Sequence, residues 1–233
     1  KKMKLLKIKK ATFERSPVNK FIFVVLFSCV VFSSLFSQET QSQKEDTEVI
    51  DFKADKMSGY SNKESEYSKL MGNAEIKTES MEIRADTIEL TGKNFRYIKA
   101  TGNVQGNQAE DNLEFACKEL TYDRSEKIAL FKGDVVLVDG ENEVTAKAQR
   151  IEYNENTGVA IMQISVELTK KDSISTGAFA LYYKNEKKLE LSGNPQVVQG
   201  DDTFRAQEIF FNLETEEITL DGQVRGSVTE KKE

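Results

Sequence analysis

The sequence predicts an all-β fold, a solenoid-like stack of β-hairpins that repeats about every thirty residues. Three observations predict it. A phrase of the form apolar-x-apolar-x-small-x-x-apolar-x-apolar recurs six times. A second strand, marked by glycine, falls between its copies. Short polar segments join the two halves, and no stretch after residue 40 holds a helical period.

The first strand of each repeat carries the phrase. Its copies are Ile50-Phe52-Ala54-Met57, Met81-Ile83-Ala85-Ile88-Leu90, Leu113-Phe115-Cys117-Leu120-Tyr122, Val144-Ala146-Ala148-Ile151-Tyr153, Ile174-Thr176-Ala178-Leu181-Tyr183 and Phe204-Ala206-Ile209-Phe211. Alternation with period two makes each a strand with one buried face. The extra residue after the small position reads as a β-bulge, or a corner where the strand turns.

The second strand carries Gly72-Asn73, Gly102-Asn103, Gly133-Asp134, Gly193-Asn194 and Gly222-Gln223, each within an apolar alternation. One copy lacks its glycine, and Gln163 is expected to fill that slot. A glycine inside a strand marks a bend or a close backbone approach. The joining turns are read at 123–127, 154–158, 184–188 and 213–217, giving about twelve strands in all.

The chain opens with a basic segment, then the uncharged apolar run Phe21 to Phe36, then Ser37-Gln38-Glu39. That order describes an export signal, with residues 1–37 as a signal peptide or N-terminal anchor. The run is shorter than the roughly twenty residues of a membrane span. Cleavage near Ser37, retention as an anchor and lipidation at Cys29, within Leu26-Phe27-Ser28-Cys29, all stay open. Residues 38–48 form a polar, flexible lead. A single β domain is expected over 49–228, with a short tail at 229–233.

Residues 1–37 hold eight of the 33 basic residues and one of the 39 acids. The remainder has 25 and 38, a net charge of −13. Such a surface lacks the basic footprint of a nucleic-acid binder. Beyond Cys29 the only cysteine is Cys117, in a slot that alanine holds elsewhere. It is expected to be a buried thiol. The chain has no histidine, which excludes histidine-based acid–base catalysis and histidine metal sites. It carries no Walker A, GxGxxG or CxxC motif, and its acid pairs (Glu110-Asp111, Asp201-Asp202, Glu216-Glu217) fall in turns. No enzyme, metal or cofactor is expected.

The hairpin period, the glycine turns Gly102-Asn103-Val104, Gly133-Asp134-Val135 and Gly222-Gln223-Val224, and the phrases Ala85-Asp86-Thr87-Ile88-Glu89-Leu90 and Lys53-Ala54-Asp55-Lys56-Met57 resemble the OstA-like family over roughly residues 48–228. The resemblance implies a twisted, open β-jellyroll whose two sheets form a trough. It also implies a periplasmic bridge of the LptA kind that carries lipopolysaccharide or a related glycolipid from inner to outer membrane. Its partners would be other OstA-like jellyrolls, LptC-like and LptD-like, with head-to-tail self-association through the first repeat (Ile50 to Ala54) and the last strand (Val224 to Val228). Ile83, Val104, Phe115, Leu120, Tyr122, Phe131, Val135, Ile151 and Tyr153 are expected to line the trough and bind lipid. Two other roles fit the same strands: a membrane-anchored LptC-like adaptor, and a structural or adhesive solenoid that binds no lipid. A dry core and a lipid trough look alike in sequence.

Overall fold

A computed structural model describes residues 49–62, 66–78, 81–110 and 112–229. The readings for 1–48 and 230–233 lie outside the described residues. The strands are β1 (Asp51–Lys53), β2 (Lys56–Ser61), β3 (Glu66–Lys77), β4 (Met81–Thr91), β5 (Tyr97–Gln108), β6 (Leu113–Asp123), β7 (Ile128–Asp139) and β8 (Val144–Asn154). They continue as β9 (Val159–Lys170), β10 (Ser173–Tyr183), β11 (Lys188–Ser192), β12 (Gln196–Gln199), β13 (Asp202–Arg205), β14 (Glu208–Asn212), β15 (Glu217–Asp221) and β16 (Arg225–Ser227). One single-turn 3-10 helix, Lys93–Phe95, interrupts them. The fold is all-β and antiparallel, as expected. Sixteen strands are counted among the described residues because those at both ends of the stack break where the inner ones bend.

That bend builds two layers from one chain. Pairing shifts register in the middle of each long strand, for instance between Lys132/Val135 in β7 and Ala116/Glu119 in β6. On one side of the shifts, β1 pairs with 75–77 of β3 and the ladder runs through successive half-strands to β12, β13 and β16. On the other side, β2 pairs with 66–71 of β3, and the ladder ends in β11, β14 and β15. The line of shifts is a seam that joins two stacked sheets. Each arm is about five residues deep, or roughly 17 Å. Phe115 of the first layer meets Phe131 of the second at 5.0 Å between ring centres, so the layers pack face to face. One continuous apolar core lies between them.

The seam needs two successive left-handed residues in every glycine strand. Gly102 (φ 76°) and Asn103 (φ 45°) supply one pair, and the same conformation recurs at Gly72-Asn73, Gly133-Asp134, Gly193-Asn194 and Gly222-Gln223. L-residues enter this region at a cost that glycine avoids. A Cβ at Gly102 would also collide with the Asp86 carboxylate, which accepts a bond from Asn103 Nδ2 at 3.0 Å. Gly102→Ala should therefore lose about 1–2 kcal/mol of stability, as read from urea denaturation.

Two expectations need correction here. The slot without glycine belongs to Ile164 (φ 68°), followed by Ser165 (φ 56°). Gln163 instead stays in the ladder opposite Arg150, whose Nε donates to it at 3.0 Å. The rung is not broken; the repeat keeps its corner and accepts a β-branched residue in a conformation disfavoured for it. Ile164 is 60% exposed, so little packing would be lost on replacing it. Ile164→Gly should gain about 1 kcal/mol and raise the melting midpoint by about 2–4 °C.

The fifth copy of the phrase is displaced by one residue. Ser175, Ala180 and Tyr182 are buried in β10, whereas Ile174 is 45% exposed. Gly177, not Ala178, takes the small slot, since it pairs with Val166 just before the shift. A slip of one residue turns the whole set over to the other face.

Turns stack as strands do. Arg124 N donates to Arg96 O (2.9 Å), Glu155 N to Lys127 O (3.0 Å), Lys184 N to Gly158 O (2.8 Å) and Leu213 N to Lys187 O (2.8 Å). These bonds satisfy backbone groups that a lone hairpin leaves to water.

Candidate functional site

All nine residues expected to line the trough are buried between the layers. Ile83, Val104, Phe115 and Val135 lie in the first layer, and Leu120, Tyr122, Phe131, Ile151 and Tyr153 in the second. The most exposed of them, Tyr122, reaches only 7%. Period-two alternation brings them together: β6 and β8 each present every second side chain to the interior on both sides of the seam. Being buried, they pack against one another and against Leu137, Ala146 and Met162 in the same cluster.

Two surface grooves open among the described residues. One, of about 340 Å³, is lined by Glu82, Arg84, Asn107, Glu114 and Val138, with Phe115 the only one of the nine beside it. The other, of about 780 Å³, follows the C-terminal seam past Asn194, Arg205, Gln207 and Arg225.

Cys117 sits beside the seam as a buried thiol. Burial pushes its pKa up to about 11, against the opposing hydrogen bonds at Lys132 and Glu119, so it stays protonated and unreactive at neutral pH.

Opposite the seam, where the arms end in turns, polar residues meet across the interior. Asp139 ends β7 in the first layer, and Asn142 lies in the turn after it. Tyr182 stands at the far end of the second layer's part of β10, and Lys184 opens the turn after it. Tyr182 Oη donates to Asp139 Oδ2 at 2.6 Å, and Asn142 Nδ2 donates to Tyr182 Oη at 2.8 Å. Lys184 Nζ reaches Glu141 Oε2 at 2.7 Å and both Asp139 oxygens at 3.4 Å. Backbone amides of Glu141 (2.9 Å) and Asn142 (3.0 Å) donate to Asp139 Oδ1. Burial pulls the Asp139 pKa up, yet the bonds from Tyr182 and Asn142 and the Lys184 charge outweigh it and hold it below the ordinary carboxylate value. For Lys184 burial works downward, and Glu141 and Asp139 overcome it to raise the pKa. Burial and the Asp139 bond raise that of Tyr182. Sequence reasoning missed this cluster entirely.

The edges match the sequence expectation. Among the described residues, β1 and β2 close one end and β15 and β16 the other, each paired on one side only. Phe52 is 53% exposed in β1, and Met57 and Tyr60 are exposed in β2. Val224 and Val228 are exposed at the opposite end. A strand paired on one side presents free backbone groups for another chain.

A family model described as "OstA-like protein" matches residues 46–163, just over half of the chain. The chain belongs to the OstA-like family. A second model, described as "LptA/(LptD N-terminal domain) LPS transport protein", matches residues 115–217, so the two overlap across the central repeats. That second description concerns a transport protein. A solved structure, that of LptH from Pseudomonas aeruginosa, the LptA-homologous periplasmic component of its lipopolysaccharide transport device, is similar at 13% identity and a TM-score of 0.48. That alignment covers 52% of this chain and 97% of the other. No curated protein matches the chain. Among the described residues no helix is long and apolar enough to cross a membrane.

Proposed function

We propose that this protein is a periplasmic lipid-carrying bridge, which holds lipopolysaccharide or a related glycolipid by its acyl chains between the two layers and passes it from inner to outer membrane. The observation that supports it best is a continuous apolar interior running the length of a stack whose end strands are, among the described residues, each paired on one side only, in a chain of the OstA-like family that also matches a lipopolysaccharide-transport model. Burying an acyl chain is worth about 0.8 kcal/mol per methylene against water, on the order of 10 kcal/mol for a fourteen-carbon chain. Against a membrane the difference is near zero, so a chain can be accepted and released. With a net charge of −13 on residues 38–233, acyl burial rather than headgroup charge drives binding. Residues 1–37 serve export, 38–48 lead in, and 49–228 form the working domain. The unpaired edges dock other OstA-like jellyrolls, LptC-like at one end and LptD-like at the other, by strand addition.

Native mass spectrometry of protein purified from its own cells tests this. The expected result is a bound glycolipid on a chain beginning near Gln38. A retained Phe21–Phe36 segment would make it an anchored adaptor instead. A chain that never carries lipid would be a structural solenoid, and the proposal would fail.

A further inference from the structure

We propose that Asp139, Asn142, Tyr182 and Lys184 form a latch that holds the open side of the jellyroll shut, and that acyl chains enter the interior only when it parts. The proposal rests on the lipid-carrying reading above, and it adds a gate to it.

Three observations carry it. The first is position. The layers are joined covalently along the seam, so they can separate only on the side of the turns, and the cluster spans that side. The second is burial. Lys184 and Asp139 are 3% and 2% exposed, and Asn142 and Tyr182 are buried with them, so the bonds among these four run between polar groups withdrawn from water, while the Glu141 carboxylate on Lys184 stands in solvent. Apolar packing alone would close the mouth without direction. A buried carboxylate with Tyr182, Asn142 and Lys184 on it is satisfied in one geometry, and separating the layers breaks several bonds together. The third is repetition. Lys171 and Glu216 form a second ion pair across the same mouth. Both links join a turn of the first layer to a turn three strands further along the second: 140–143 to 184–187, and 171–172 to 213–216. The shared offset is what two twisted sheets crossing at an angle produce. It makes the Lys171–Glu216 pair the same kind of closure, one repeat on.

The nine inward residues belong to β4 through β8, and the latch takes its second-layer half from β10. A chain lying against Ile151 and Tyr153 and moving toward the C-terminal edge must pass beneath the latch or open it. Opening exposes Lys184, and its ammonium group can then meet an anionic headgroup outside while the acyl chains occupy the interior.

A reversible staple tests the gate. Lys171→Cys and Glu216→Cys are introduced with Cys29→Ser and Cys117→Ala, and joined by a reducible bis-maleimide. The probe is cis-parinaric acid, whose fluorescence rises on leaving water. Uptake should be at least tenfold slower in the stapled protein and recover on reduction. Separately, Tyr182→Phe, which removes the hydroxyl and keeps the ring, should speed uptake several-fold. It should also raise amide hydrogen exchange in 140–143 and 184–187 at least tenfold, with exchange at the seam unchanged. Equal uptake by stapled and open protein would overturn the gate. So would unchanged exchange in Tyr182→Phe. If no form takes up the probe although Tyr182→Phe loosens those turns, the lipid-carrying reading fails, and the gate falls with it.

Discussion

Truncating Phe131 to alanine should remove roughly 3–5 kcal/mol of unfolding free energy, the largest loss expected from a single core change in this protein. The ring is 3% exposed and lies 5.0 Å from that of Phe115 at 57°, a tilted pair that ties one layer to the other. Its strand partners Leu120 and Ile151 are fully buried on either side, so the vacated space is walled by side chains that cannot all move in. Urea denaturation followed by tyrosine fluorescence measures the loss. A change below about 1 kcal/mol would mean that the layers separate easily there.

Asp139→Ala should be nearly as damaging, roughly 3 kcal/mol, because it strips a buried ammonium of one carboxylate and leaves Tyr182 and Asn142 without their acceptor. Lys184 keeps Glu141 at 2.7 Å, which places the effect low in the range for a broken buried pair. Asp139→Asn adds a test by pH. The folded pKa of Asp139 lies below its unfolded value of about 3.9. Its contribution is therefore complete above that value and is lost as pH falls through the lower, folded one. The stability gap between the native protein and Asp139→Asn should be full at neutral pH and shrink as pH falls below about 4 and through the folded pKa. Lys184 acts at the other end. Its folded pKa is raised, so its share persists below about 10.4 and fades only as pH rises through the folded value. A gap that stayed constant into acid would show that Asp139 is not held as a carboxylate.

How much of this was legible in the sequence depends on how local the signal is. Ile151, Tyr153, Leu120 and Phe115 declared themselves by alternation, which one strand displays without reference to any other. The seam was legible as a recurring glycine followed by Asn, Asp or Gln, since few residues take two left-handed steps in succession. Ile164 escaped because its conformation is imposed by the register of β8 and β10 on either side, and nothing in an isoleucine signals it. The fifth copy was misread for a related reason. In β10 the outward row, with Ile174, Leu181 and Tyr183, is more apolar than the inward row of Ser175, Gly177 and Ala180. The latch left no periodic trace. Asp139 and Asn142 look like turn residues and Lys184 like a surface lysine, and only the crossing of the layers brings positions 45 apart together.

Photo-crosslinking in living cells tests the central claim most directly. A photoreactive residue at Phe115, Phe131 or Ile151 should capture lipopolysaccharide or a related glycolipid, visible as a glycolipid-reactive band of higher mass. The same residue at Glu89 or Glu152, on the outward face of β4 and β8, should capture none. Adducts confined to the outward sites, or absent from the inward ones while the protein is folded and exported, would contradict a lipid path between the layers.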